Sequence, residues 1–363
     1  MARQSVIRVG ERARSRPQTK GQHMPKIVRF HEFGEADVLR IEEVAEQQPA
    51  AGEVRMRVEA FALNRADVLL RRNQYIEHPE LPSRLGYDAA GVVDAVGAGV
   101  EAVQVGDRVM TYPTFSPVQH GVYGESAIVP AHSLIAYPHN LTPQQAATVG
   151  VQYMTGYFGL YELGKLQRDD WVVVTAASSS TGVAAIKLAK CVGAKVIATT
   201  RNAVKRRPLL DHGADEVVAT QEQDIREVVH ARTEGKGVKL IYDAVVGPNF
   251  EALCEVVAQR GHIVIYGALG GEPRKLPLWP LFGKGASLHF YKVFDFTGSP
   301  SLGLEPQTDA VERAKAFIVR HLADGALAPV IARTFSLQDV AEAHRFMESN
   351  QQIGKIVVTT DPV

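Results

Sequence analysis

The run Val174–Lys190, VTAASSSTGVAAIKLAK, joins the end of an apolar segment, a bend of small residues and a stretch with helical spacing. The preceding Trp171–Val174, WVVV, is short, uncharged and β-branched, and reads as a buried strand. Three serines, Ser178, Ser179 and Ser180, fill the bend, and Gly182 opens the helical part. Strand, tight turn and helix in this order mark the place where a doubly wound sheet holds a pyrophosphate. Such a place needs close backbone approach and free N–H groups at a helix N-terminus. Small side chains meet the first need nearly as well as glycine, and serine hydroxyls add donors. Ser179, Ser180, Thr181, Gly182 and Val183 are therefore the candidate phosphate cradle. Taken alone, the stretch is also readable as a strand-to-helix bend with no ligand, so context must decide.

The context is a rhythm. KVIATT (195–200) precedes a helical pattern at Ala203–His212, and EVVAT (216–220) precedes one at Gln223–Thr233. KLIYDAV (239–245) leads to a helix at Asn249–Gln259, HIVIYGA (262–268) follows, and SLHFYKVFDF (287–296) is a sixth strand candidate. Apolar runs alternating with helical patterns every ~25 residues predict an α/β domain built on a parallel sheet. The first half differs. EVRMRVEAFAL (53–63) alternates with period two, and the short Gly-broken runs at 89–100 and 105–113 suggest a compact barrel. In the tail, residues 309–325 and 335–349 read as amphipathic helices, the second with Ser336 as N-cap, and GKIVVTT (354–360) as a closing strand. We place this tail back on the first domain. The expected division is a disordered extension at 1–23, a discontinuous domain at 24–147 plus 296–363, and a nucleotide domain at 148–295.

Bulk properties exclude several classes. A chain of 363 residues favours two domains. Forty basic residues balance forty acidic ones, so no nucleic-acid partner is expected. No run of roughly 18 uncharged apolar residues exists, so no membrane span is predicted. The first 23 residues hold six basic groups and one acid without an apolar core, unlike a secretory signal. Two cysteines, Cys191 and Cys254, cannot build a zinc cluster and suit a reduced, cytoplasmic setting.

A site for NAD normally shows an acid about 20 residues beyond the turn, on the ribose 2′-hydroxyl. Here Arg201 stands 19 residues after Gly182, with Lys205 one helical turn further. An acid repels a 2′-phosphate, whereas these cations attract one, so the expected coenzyme is NADPH. The alternative is a solvated basic helix start, although cations at a helix N-terminus oppose its dipole.

Several segments, in order, resemble the medium-chain dehydrogenase/reductase superfamily: ALNRADVLLRRNQY (62–75), LGYDAAGVVDAVGAGV (85–100), AATVGVQYMTGYFGL (146–160), AASSSTGVAAIKLAK (176–190) and AEAHRFMESNQQIGKIVV (341–358). They look most like its zinc-free quinone oxidoreductase, or zeta-crystallin, branch. The resemblance implies a GroES-like β-barrel domain with an inserted Rossmann domain, and a reaction site between them. Where zinc-containing members carry a cysteine and a His–Glu pair, this chain has Asn64, Tyr87 and Asp88, so no metal is expected. His78, His120 and His132 are read as surface or loop residues. The resemblance further implies Asn64 as an amide donor and Tyr75 as a proton donor or oxyanion ligand. Thr155 and Gly267 are expected at the nicotinamide, and a homodimer or homotetramer through the strand at SLHFYKVF. Leu69 departs from the branch, which has tyrosine there. The implied chemistry is zinc-independent hydride transfer from NADPH to a quinone or other α,β-unsaturated carbonyl. An enoyl-thioester or alkenal reductase, and a catalytically weak NADPH-binding protein, are the alternatives.

Overall fold

The computed structural model describes residues 24–271 and 275–360; the extension expected at 1–23 lies outside the described residues. Fifteen strands follow one another among these residues. The first seven are β1 (Lys26–Phe30), β2 (Leu39–Glu43), β3 (Glu53–Ala62), β4 (Asp88–Val96), β5 (Arg108–Thr111), β6 (Ser126–Pro130) and β7 (Leu134–Ala136). Six more are β8 (Trp171–Val174), β9 (Lys195–Thr200), β10 (Glu216–Ala219), β11 (Val238–Asp243), β12 (Val257–Ile265) and β13 (Ser287–Phe290). The last two are β14 (Ile331–Ser336) and β15 (Lys355–Thr359).

Strands β8–β13 form one sheet in the order β10-β9-β8-β11-β12-β13, with every pairing parallel. Chain order reverses between β8 and β11, the switch point at which such sheets bind ligands. Val172, Val173, Val174, Ile241 and Tyr242 are wholly buried, as strands covered by helices on both faces must be. The sixth strand is present but ends at Phe290, and the rest of the expected run turns into a short helix at Phe294–Thr297. The helix expected at Asn249–Gln259 also stops early. It spans Phe250–Val256, because Val257 already pairs with Val238. Arg260, with φ of 55°, then breaks β12 before His262 rejoins the sheet.

A second sheet runs β14-β15-β3-β4-β5-β7, with β6 also on β3. The closing strand β15 pairs antiparallel with β3, Val357 opposite Ala62, so the end of the chain returns to the sheet of its first half, while β1 and β2 form a separate two-stranded sheet. Ser336 does not act as the expected cap. Its hydroxyl donates to Asp339 at 2.7 Å instead of accepting a backbone N–H. The helix Gly150–Tyr157 carries the chain toward the parallel sheet. Gly150 is required there, since a Cβ would lie 2.2 Å from Thr111 O and 2.7 Å from Asp88 Oδ1.

Candidate active site

The helix Ser180–Cys191 begins at the end of β8 and is capped by Ser179, whose Oγ accepts the Gly182 N–H at 3.1 Å. Val183 N–H bonds Ser179 O at 2.9 Å. The cap leaves Ser180 and Thr181 to present the orphan N–H groups of the first turn. A side chain at residue 182 would meet Ala176 O at 2.6 Å, so glycine is what lets the helix start this close to the strand end. Ser179, Ser180, Thr181 and Gly182 thus form one small-residue bend, and Val183 packs inward, buried.

Arg201 and Lys205 follow β9 on the same side. Arg201 is exposed, while the Lys205 ammonium donates to Ser178 Oγ at 3.1 Å, Asn350 O at 2.8 Å and Gln352 O at 2.9 Å. Burial, and then the charge of Arg201, hold the Lys205 pKa below the ordinary lysine value. Two cations close enough to disturb each other leave an electrostatic need that an anion relieves. Lys205 also ties the small-residue bend to Asn350 and Gln352, a contact the sequence did not indicate.

Thr155 is buried, and its carbonyl accepts from Tyr291 Oη at 3.4 Å. At the ends of β11 and β12 lies a cavity of about 650 Å³, lined by Val246, Tyr266, Gly267, Tyr291 and Lys292 among others. A Cβ on Gly267 would stand 3.2 Å from Ala244 O. Tyr266 stacks on Tyr242 at 4.1 Å, and its buried hydroxyl has no partner among the described residues. Asp243, the last residue of β11, is fully buried. Its Oδ1 accepts from Thr175 Oγ1 at 2.5 Å and from Val245 N–H at 2.8 Å, and burial raises its pKa. A nicotinamide nucleotide fits this set: orphan N–H donors at the bend, an unsatisfied phenol, and a cavity at the strand ends.

Asn64 and Tyr75 flank the helix Arg65–Arg71. Asn64 is buried at the core of a polar cluster. Its Nδ2 donates to Asp88 Oδ2 at 3.0 Å, and its Oδ1 accepts from Lys355 Nζ at 2.6 Å. Lys355 Nζ also reaches Asp88 Oδ2 at 2.7 Å, with both side chains wholly buried. Asp67 caps Asn64 N–H at 2.7 Å and accepts from Tyr123 Oη at 2.9 Å. Its second oxygen has no partner among the described residues, and burial pushes its pKa up to about 7.

Tyr75 belongs to a neighbouring group. Tyr87 Oη donates to Glu77 Oε1 at 3.4 Å, and Ser116 Oγ donates to Glu77 Oε2 at 2.5 Å. The phenol of Tyr75 sits beside Tyr87. Burial, reinforced by Asp67 and Glu77, raises its pKa above the usual value near 10. It therefore stays protonated at working pH but releases its proton reluctantly.

Lys355 is the member of this site that sequence reasoning missed; Asp88 was noted only as standing where zinc-containing relatives carry a ligand. One signal was present: a lysine directly before the apolar IVV of a closing strand. The side chains present do not fit a zinc ion. Asn64 and Asp88 already bind an ammonium that a dication would have to expel, and zinc sites need three or four protein ligands. Among the described residues no group of three or more His, Cys, Asp or Glu side chains is placed to hold a metal. His78 and His132 are exposed, and His120 ends a four-residue helix.

Residues 50–139 match the family described as alcohol dehydrogenase GroES-like domain, and residues 212–358 match that described as zinc-binding dehydrogenase. The quinone oxidoreductase of Salmonella typhimurium is 30% identical over 334 residues, covering 91% of this chain and 98% of that protein. A phenolphthiocerol/phthiocerol polyketide synthase component of Mycobacterium tuberculosis is 29% identical over 90% of this chain, which spans only 14% of that protein's length. Among solved structures, an NAD-dependent alcohol dehydrogenase superposes with TM-score 0.82 at 30% identity, covering 92% of this chain and 99% of that one. The Escherichia coli quinone oxidoreductase complexed with NADPH superposes with TM-score 0.81 at 26% identity, over 92% of this chain and 99% of that one. With its six-stranded parallel sheet beside a GroES-like domain and identity sustained over nine tenths of its length, the chain belongs to the medium-chain dehydrogenase/reductase superfamily.

Proposed function

We propose that this protein is an oxidoreductase that passes hydride from NADPH to a quinone or another α,β-unsaturated carbonyl without a metal ion. The observation that carries the reading is the Lys355 ammonium bound between Asn64 and Asp88, where a metal would need free ligands. Without a Lewis acid the acceptor must be electron-poor already, and conjugation supplies that by spreading the developing charge. The bound coenzyme supplies the hydride. The chain's own residues hold and polarise. Ser180 and Thr181 N–H groups receive the pyrophosphate, Arg201 and Lys205 the 2′-phosphate, and Thr155 and Gly267 border the nicotinamide. Asn64 offers its second amide hydrogen to the acceptor oxygen. Tyr75, kept protonated by burial, stabilises that oxygen as a hydrogen-bond donor before it serves as an acid. The barrel domain at 24–147 plus 296–363 and the coenzyme domain at 148–295 supply the two sides of the site.

The resemblance to the quinone oxidoreductases, among them one solved with NADPH, supports the leading reading. The match to a stretch of a polyketide synthase favours a second one, an enoyl-thioester acceptor. Assembly as a homodimer or larger homo-oligomer through the edge strand β13 belongs to the same proposal. Steady-state NADPH oxidation with an ortho-quinone, an alkenal and an enoyl thioester, each with and without chelator, is the test. Turnover with the quinone or alkenal that survives chelation is expected. Faster turnover of the thioester selects the second reading. Tight NADPH binding with no turnover on any acceptor, or loss of activity to chelator, overturns the proposal.

A further inference from the structure

The Lys355 ammonium, the Asp88 carboxylate and the Asn64 amide form a closed triangle with edges of 2.6, 2.7 and 3.0 Å. Buried charges of this kind are retained only where geometry and hydrogen bonds compensate them. An apolar trio would pack here without that cost, so the triangle calls for a purpose. Its geometry supplies one. A side-chain amide can sit in either of two flipped orientations. A lysine has three donors and no acceptor, and an ionised carboxylate only accepts. Lys355 therefore admits only Oδ1 of Asn64 on its side, and Asp88 only Nδ2 on the other. One Nδ2 hydrogen is committed to Asp88, and the second has no partner among the described residues.

The same triangle is wired outward at two points. Asp88 Oδ1 accepts Val151 N–H at 2.8 Å, at the start of the helix that carries Thr155. Lys355 follows Gly354, whose N–H donates to Ser178 O at 3.1 Å and whose backbone bridges to Ser179. Thus the adjacent pair Gly354–Lys355 joins the small-residue bend to Asn64, and Asp88 extends the link to the head of the Gly150–Tyr157 helix.

We propose that Lys355 is a positioning residue of the reaction, whose buried ammonium locks the Asn64 amide with its free N–H turned to the acceptor. The inference rests on the reductase reading for what the amide does, and on the triangle alone for how the amide is held.

The test uses the full chain. Lys355→Met alone strands the Asp88 charge and is at risk of misfolding, so the working variant is Lys355→Met with Asp88→Asn, which removes both charges. With whichever acceptor the wild type reduces, kcat should fall by about tenfold or more while the dissociation constant for NADPH, read by fluorescence, moves less than about threefold. In an Asn64→Ala background the paired substitution should cause no further loss of kcat. An undiminished kcat, or a loss that multiplies with that of Asn64→Ala, overturns the proposal. A second readout does not depend on activity. With selective ¹⁵N-asparagine labelling, the Asn64 side-chain amide should give two slowly exchanging proton signals in the wild type and fast-exchanging ones in the variant. Equal exchange in both overturns the locking. A wild type inactive on every acceptor sinks the reductase reading, and the exchange measurement then decides on Lys355 by itself.

Discussion

Thr175 and Asp243 knot the ends of β8 and β11 together: the Thr175 hydroxyl donates to Asp243 Oδ1 at 2.5 Å and accepts the Ala244 N–H at 2.9 Å. These are the two strands between which chain order reverses, so the knot fixes the switch point beside which the proposed coenzyme would lie. Thr175→Val keeps the shape and deletes both bonds. Leaving buried groups unpaired costs about 1–3 kcal/mol. A lower urea midpoint and a raised KM for coenzyme are expected; an unchanged midpoint would show that the knot contributes nothing.

In the proposed reading, coenzyme choice rests on Arg201 and Lys205. Arg201→Asp should lower the preference for NADPH over NADH by at least tenfold, about 1.4 kcal/mol of binding. Lys205 is the less clean probe, because its substitution also removes three bonds around Ser178. Comparing Michaelis constants for both coenzymes before and after Arg201→Asp decides the matter, and an unaltered ratio would discard the 2′-phosphate assignment.

Asp67 gives a pH signature. Its folded pKa of about 7 lies above the ordinary 3.8, so the folded chain holds this proton more tightly than the unfolded one. That stabilisation is complete below pH 3.8 and disappears as pH rises through 7. Asp67→Asn keeps a neutral side chain that still accepts from Asn64 N–H and Tyr123. The variant should match the wild type near pH 4 and exceed it at pH 8, by on the order of 2–4 kcal/mol from the linkage relation. Urea melts at the two pH values measure this, and a gap that does not widen with pH refutes it.

His344 acts in the opposite sense. Both ring nitrogens are buried without partners among the described residues, and burial, helped by the Arg71 charge, lowers its pKa to about 3. A base with a depressed folded pKa contributes stability above 6.5 that is lost as pH falls toward 3. His344→Phe, packed against Tyr123 in the same place, should therefore lose less stability than the wild type between about pH 6.5 and 4. Parallel acid-denaturation curves for the two proteins would rule this out.

The edge strand carries the assembly prediction. Phe290 on β13 is 77% exposed, and Trp279 and Phe282 of the adjacent helix Leu278–Lys284 are 77% and 74% exposed. Bare apolar edges invite pairing with another copy. If the proposed edge-strand assembly exists, Phe290→Asp should convert it to monomer in light scattering at micromolar concentration. A wild type that is already monomeric would dismiss the interface.

Several elements were legible because their signals are local. The WVVV strand, the serine bend and the helix that follows it lie close together in sequence, and the parallel-sheet rhythm repeats on a scale the eye can count. The helix expected through Gln259 was not legible in its extent, because what ends it is the pairing of Val257 with Val238 across the sheet. Nor could the Tyr75 phenol be read correctly. Its pKa is set by burial against Tyr87 and by Asp67 and Glu77, none of which its loop composition reveals.

By itself the sequence determined the class of the protein: an α/β domain on a parallel sheet beside a GroES-like domain, with a bend of small residues after β8 and basic residues after β9. Periodicity, turn chemistry and charge act over one strand or one helical turn, so a linear reading captures them. Only the tertiary structure decided what fills the reaction centre. Lys355 reaches Asn64 across 291 positions and Asp88 across 267, and no local pattern announces a contact that exists because β15 returns to lie on β3.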